Sequence, residues 1–265
     1  MKRRLTNLFD ELPNSKKSLE TNFEYGISVS RNLKGKIREA IVNVPTLNFF
    51  GAKIEKYVKN VLKNELKNTF KIDKAKNILI VGLGNINIEN DSLGPKTLER
   101  LIVSRGLNLS PSVCAFAPNV QSNTGIETYE TICQISKIVS PDLVVLIDAF
   151  ATVSVSRLCS CFQFSEKGIA AGSGNNHASK IISKEARGAR KVLSIGVPTL
   201  IYASSFAKNI SNKKIKEEFN SFPMLMLSPT DVKKNVELIS RIISGAINET
   251  LFPNFSPSEI NALIK

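Results

Sequence analysis

At 265 residues the chain is long enough to bury a full core, and its make-up (42% hydrophobic, 22% charged, no tryptophan) excludes a disordered or fibrous protein. Its one extreme value is a net charge of +13, concentrated at the front: residues 1–76 hold 17 Lys/Arg against 8 Asp/Glu, and the remaining 189 hold 19 against 15. A basic excess of this kind steers toward nucleic acid, acidic membrane surfaces or acidic proteins, but the lysine-rich part lacks the interleaved aromatics on which single-strand binders stack bases, and a soluble lysine-rich surface accounts for it most simply.

Residues 1–30 are weakly patterned, broken by Pro13, Asn14 and the Lys16-Lys17 pair, and are expected to be a loosely structured extension; residues 31–265 are expected to form a single α/β domain. The start, MKRRLTNLFDELPNS, has no apolar core of the kind a signal peptide needs, and no run approaches the ~20 apolar residues of a membrane span, so a reducing cytoplasm is the expected compartment. A short strand is expected around Ala40–Val44. Ile54, Val58, Val61, Leu62 and Leu66 then recur at helical spacing, with lysines on the opposite face.

Ile78–Val81 is a continuous apolar run of the length expected for a strand buried on both faces. A long, flexible loop follows it, and then a helix with Pro95 in its first turn, where the missing N–H costs nothing. Ser112–Ala117 is the next expected strand. Thr124-Gly125-Ile126-Glu127 has capping-box spacing and predicts a helix through Val139, with Ile126, Tyr129, Ile132 and Cys133 turned inward. Leu143–Ile147 is the clearest strand and stops at Asp148. Arg157–Phe164 alternates, as an antiparallel or edge strand does, and KVLSIGVP is another buried run. Val232, Val236, Ile239, Ile243 and Ile247 share one face of a terminal helix that Thr230 or Asp231 could cap. Strands alternating with helices predict an α/β three-layer sandwich around a mostly parallel sheet.

In such sheets ligands bind beyond the C-terminal ends of strands, so acidic residues that end apolar runs are the first candidates. Asp148 ends one run directly, and Asp91 lies on the loop after another. If the two strands are neighbours, the carboxylates can share a proton, which supplies a base for an attacking water and an acid for a leaving amine. The plainer reading makes Asp91 a helix N-cap and Asp148 a turn residue.

Other constellations fail on spacing. Gly82-Leu83-Gly84 lacks the third glycine of a dinucleotide loop, no G-K-[ST] phosphate loop is present, and Gly172-Ser173-Gly174 lacks the G-x-S-x-G elbow, although its backbone N–H groups could form an anion nest. Cys114, Cys133, Cys159 and Cys161 have no C-x-x-C spacing and His177 is the single histidine, which argues against a metal site or a disulfide framework. No cofactor is expected.

The stretches VGLGNINIENDSLGPKTLERL, APNVQSNTGIETYETI, SPDLVVLIDAFATVSVSRL, FSEKGIAAGSGNNHASK, LSIGVPTLIYAS and LSPTDVKKNVELISRIISGAIN, over about residues 77–248, resemble in order those of the germination (spore) protease family of atypical aspartic endopeptidases. The resemblance implies a phosphorylase/hydrolase-like fold similar to hydrogenase maturation proteases, and it puts the family's two catalytic aspartates on Asp91 and Asp148. It further implies a zymogen that trims its own N terminus, a homotetramer in the cytoplasm of the forespore or spore core, and degradation of small acid-soluble spore proteins at acidic sites, for which Arg157 is a candidate substrate contact. The chain departs from the family's pattern in three places: only Thr21–Glu24 echoes the processing motif, Glu166 stands for the acidic residue of the serine-aspartate-threonine-glycine turn, and Val197–Ala203 lacks an acidic side chain. Two alternatives stand beside this reading. One is a non-catalytic relative that binds a spore protein or DNA. The other is a hydrogenase-maturation-type peptidase, which would need a metal to position its substrate.

Overall fold

The computed structural model describes residues 19–33, 37–45, 51–170, 181–182, 191–208, 218–219, 221–222 and 225–264. Its strands are β1 (Leu19–Asn22), β2 (Ser28–Asn32), β3 (Glu39–Asn43), β4 (Asn77–Gly82), β5 (Ser112–Phe116), β6 (Leu143–Thr152), β7 (Cys161–Ser165), β8 (Ile169–Ala170), β9 (Ile181–Ile182), β10 (Lys191–Tyr202) and β11 (Met226–Leu227). Its helices are α1 (Ala52–Asn64), α2 (Leu93–Leu98), α3 (Gln121–Thr124), α4 (Thr128–Val139), α5 (Ala203–Ala207), α6 (Val232–Leu251) and α7 (Pro257–Leu263).

The main sheet runs β1-β2-β3-β7-β10-β6-β4-β5, with β11 paired to the end of β10. It is mixed. β5, β4, β6 and β10 are parallel, whereas β7, β3, β2 and β1 continue it as an antiparallel wing. The antiparallel part is therefore larger than the one strand its alternation predicted. The N-terminal region is its source: residues 19–32, expected to belong mostly to a loosely held extension, form β1 and β2, joined through a tight turn in which Tyr25 and Gly26 both take positive φ. Short, half-polar strands of this kind carry little periodicity to read. Thr21 lies in β1, and residues 1–18 are outside the described set.

Alternation along the parallel strands sorts the core into two layers. Ile78, Ile80, Leu143, Val145, Ile147, Leu193 and Ile195 face α1, α2 and α6, and the long apolar stripe of α6 read from the sequence is buried there in full. On the opposite face Leu79, Val81, Val144, Leu146 and Val192 pack against α4 through Ile132 and Tyr129. Helices on both faces of a shared sheet make the expected three layers.

The helix expected from Thr124 onward does not start there. Gly125 takes a left-handed conformation (φ 71°) that ends α3, and α4 begins only at Thr128. Thr124 Oγ1 bonds within its own turn, to the carbonyls of Val120 and Ile126, instead of capping a helix. Ile126 consequently points outward, 58% exposed, whereas Ile132 is buried as predicted. Likewise Arg157 and Cys159 precede β7, in a turn where Cys159 has φ 54°, and the strand begins at Cys161.

Candidate active site

The topology places a switch point between β4 and β6. β4 leads outward through α2 to β5, β6 leads the other way toward β10, and α2 and α4 lie on opposite faces. A strand-order reversal of this kind opens a cleft at the C-terminal ends of the two strands, where ligands of open α/β sheets bind. β4 and β6 pair directly, with Gly82 opposite Ile147, and the Leu83 N–H closes the ladder on the Ile147 carbonyl at 2.8 Å. Asp148 is the next residue, positioned where β4 leaves the sheet while β6 continues beside β10 to Thr152.

Asp91 reaches the same place by a folded loop. The chain after β4 turns through Gly84 (φ 106°), where a Cβ would fall on the backbone oxygen of Asp91 and lie 3.0 Å from its Oδ1. Only glycine permits that approach. A Cβ at Gly82 or Gly94 would likewise meet the other's stretch of backbone, so the glycines dock the start of α2 onto the end of β4. The Asp91 Oδ2 accepts the Asn85 N–H at 2.8 Å, and Asn85 Oδ1 accepts the Asn87 N–H at 3.0 Å. The Asp91 N–H is bonded to the Ile88 carbonyl, Ser92 Oγ donates to the Glu89 carbonyl at 2.9 Å, and Thr199 Oγ1 of β10 donates to the Asn90 carbonyl at 2.6 Å. The loop expected to be flexible is thus tied at several points. The N-cap reading of Asp91 fails, because Ser92 holds that position and the Asp91 carboxylate turns back onto its own loop.

Electrostatics couple the two aspartates. Burial pushes the Asp148 carboxyl well above the usual carboxylate range, and the charge on Asp91 pushes it further in the same direction; the Ala149 backbone N–H offsets only part of this. Burial also raises Asp91, but less strongly, because the Asn85 N–H favours its ionised form. A buried carboxyl beside a negative charge keeps its proton to higher pH than its neighbour does. Such a pair contains a general acid and a general base at once.

Nearby groups do not compete for this role. Cys159 is buried beside the β10 backbone, its N–H donating to the Pro198 carbonyl at 2.7 Å. Burial and the Asp231 charge push its thiol up to about 12, so it is not a thiolate nucleophile at neutral pH. Among the described residues no three His, Cys, Asp or Glu side chains gather as a metal site would need; His177 and the Gly172-Ser173-Gly174 loop lie outside those residues. Arg157 closes the turn that follows β6, half-buried beyond the end of that strand.

Sequence reasoning missed Asn85 and Thr199, whose N–H and hydroxyl bond the Asp91 carboxylate and the Asn90 carbonyl without being acids, bases or nucleophiles. A signal for the second existed: Pro198 inside an apolar run is confined by its missing N–H to an edge or a bulge, and the pairing of β10 with β6 does shift register between Pro198 and Leu200.

Known proteins resemble this chain over most of its length. The family model described as germination protease matches residues 42–216. The germination protease of Clostridium tetani is 30% identical over 84% of this chain and 81% of its own length, and that of Clostridium acetobutylicum 31% identical over 84% and 81%. The germination protease of a Geobacillus species is 42% identical over 52% of this chain and 39% of its own. A solved [NiFe] hydrogenase maturation protease from Thermococcus kodakarensis, 18% identical, covers 71% of this chain and 98% of its own with a TM-score of 0.40.

Proposed function

The chain belongs to the germination protease family, and from that premise we propose that it is an endopeptidase that degrades small acid-soluble spore proteins during germination, with Asp91 and Asp148 activating the attacking water. The observation that supports this reading is placement: Asp148 lies on β6 just past the end of its neighbour β4, and Asp91 on the folded loop that follows β4, near enough for its charge to raise the proton affinity of Asp148.

The unequal surroundings of the pair divide the labour. Asp91, whose charge is favoured by the Asn85 N–H, is the base; Asp148, the more strongly protonated of the two, is the acid. Water attacks the scissile carbonyl carbon and loses a proton to Asp91 as the tetrahedral intermediate forms. Asp148 then protonates the amide nitrogen, the C–N bond breaks, and the proton held by Asp91 returns to the pair. Arg157 is the proposed contact for an acidic residue beside the cut. We place this activity in the cytoplasm of the spore core and in a homotetramer, whose mass light scattering would check. No helix of the described residues is long and apolar enough to cross a membrane.

Asp91→Asn and Asp148→Asn, incubated separately with a purified acid-soluble spore protein, are each expected to lower kcat/KM by about 10³-fold or more while remaining folded. Undiminished cleavage by both variants would overturn the aspartate mechanism.

A further inference from the structure

We propose that Thr199 is a positioning residue for the reaction, acting through a bulge in β10 to hold the Asp91 loop against the strand next to Asp148; this rests on the aspartate-pair reading above. β10 runs parallel to β6 in unbroken register from Lys191 opposite Leu143 to Pro198 opposite Phe150, and resumes with Leu200 opposite Ala151. Thr199 is the extra residue. Inserting one residue turns the bulged side chain out of the strand's ordinary alternation, and such insertions recur beside active sites for that reason.

The redirected side chain is completely buried, and its hydroxyl is used: Oγ1 donates to the Asn90 carbonyl at 2.6 Å, immediately before Asp91. The backbone of the same residue is held in turn, its carbonyl accepting the Ser228 Oγ at 3.0 Å. Ser228 opens the segment that leads into α6, and the start of α6 reaches the same loop, with Lys233 Nζ 3.9 Å from Glu89 Oε1. The carbonyl of Pro198 is occupied by the Cys159 N–H, so the bulge is braced on both sides of Thr199. Asp148 lies on β6, paired with Gly196 of β10. One hydroxyl therefore links the loop that bears one carboxylate to the immediate neighbour of the strand that bears the other. Asn85 sets the direction of the Asp91 side chain, and Thr199 sets where its backbone stands.

The test compares Thr199→Val, which keeps the β-branched shape and removes the hydroxyl, with Thr199→Ser, which keeps the hydroxyl. Both are assayed as full chains on a purified acid-soluble spore protein, with Asp91→Asn in parallel and thermal unfolding as the check on folding. Thr199→Val is expected to lower kcat about 10- to 100-fold with KM within about twofold, as a small displacement of a catalytic group does. The alkaline limb of its kcat/KM profile should move to lower pH, because an Asp91 carboxylate held farther away raises Asp148 less. Thr199→Ser should recover activity to within a few-fold. Wild-type kcat and pH profile in a folded Thr199→Val overturns the proposal, as does a loss shared by Thr199→Ser with the profile unmoved, since that outcome reports packing alone. Full activity in Asp91→Asn would instead sink the aspartate reading, whatever Thr199 does.

Discussion

A carboxyl held protonated by burial is a standing cost to the fold, and Asp148 shows which way that cost runs. Its pKa in the folded chain lies above the unfolded value, so folding favours the protonated form; the associated stability is fully present below the unfolded pKa of about 3.8 and is lost as pH rises through the folded pKa. Asp148→Asn should therefore unfold at a higher temperature than the native chain at pH 7, by about 2–4 °C for each kcal/mol recovered, and the gain should vanish near pH 3. Scanning calorimetry of the two proteins at both pH values checks it, and a variant less stable at pH 7 would contradict the sign. The placement of both aspartates at one end of the sheet was legible in the sequence, because Asp148 follows an apolar run directly and Asp91 lies on the loop after another. The residues that aim them were not, since an asparagine N–H and a threonine hydroxyl are used through backbone geometry that no spacing rule encodes.

For the elements, legibility followed burial. α6, α1, β4 and the first half of β6 could be read directly, because their apolar positions recur at 3.6 residues or run unbroken; β6 runs past Asp148 to Thr152, where its partner β10 carries it on. α4 was misplaced at its start because a capping-box spacing competes with a glycine that takes positive φ, and the glycine prevailed. The Gly82-Leu83-Gly84 run was informative for a reason other than phosphate binding: a helix is packed onto a strand end with no room for side chains between them. Gly84→Ala must both adopt a φ of 106° and clear the Asp91 backbone. It should lower stability by about 2–4 kcal/mol, from overpacking plus backbone strain, and should depress activity by more than the lost folded fraction explains. Denaturant titration alongside kcat in the folded range separates the two effects.

Across the whole molecule, the antiparallel wing and the parallel core are joined by a polar knot as well as by the sheet. Glu166, at the end of β7, accepts the Arg38 N–H at 3.1 Å and pairs with the Arg38 guanidinium at 2.7 Å and with Lys191 Nζ, at the start of β10, at 3.2 Å. Arg38 Nη1 also donates to the Thr69 carbonyl at 2.6 Å, and Lys191 Nζ to that of Phe70. Burial alone would raise the Glu166 carboxyl, but Arg38 and Lys191 together hold it below its ordinary value. A depressed carboxylate contributes stability above its unfolded pKa of about 4.5, which is lost as pH falls through the folded value. Glu166→Gln should cost about 1–3 kcal/mol at pH 7 and less below pH 4, measured by urea unfolding at each pH. Of this wing β3 and β7 were readable in advance, from the expected strand around Ala40–Val44 and the alternation of Arg157–Phe164, whereas β1 and β2 were not, because they are short and half-polar, and the joining of β3 to β7 is settled between partners distant in sequence.

The route by which the two aspartates come to the same end of the sheet also bears on when the proposed mechanism can operate. Asp91 leaves the ribosome well before Asp148, and the switch point exists only after β6 has inserted between β4 and β10. Until that insertion, a nascent or partly unfolded copy holds two ordinary, separately ionised carboxylates with no cutting power. On the proposed aspartate mechanism, proteolytic competence is thereby tied to completion of the central sheet.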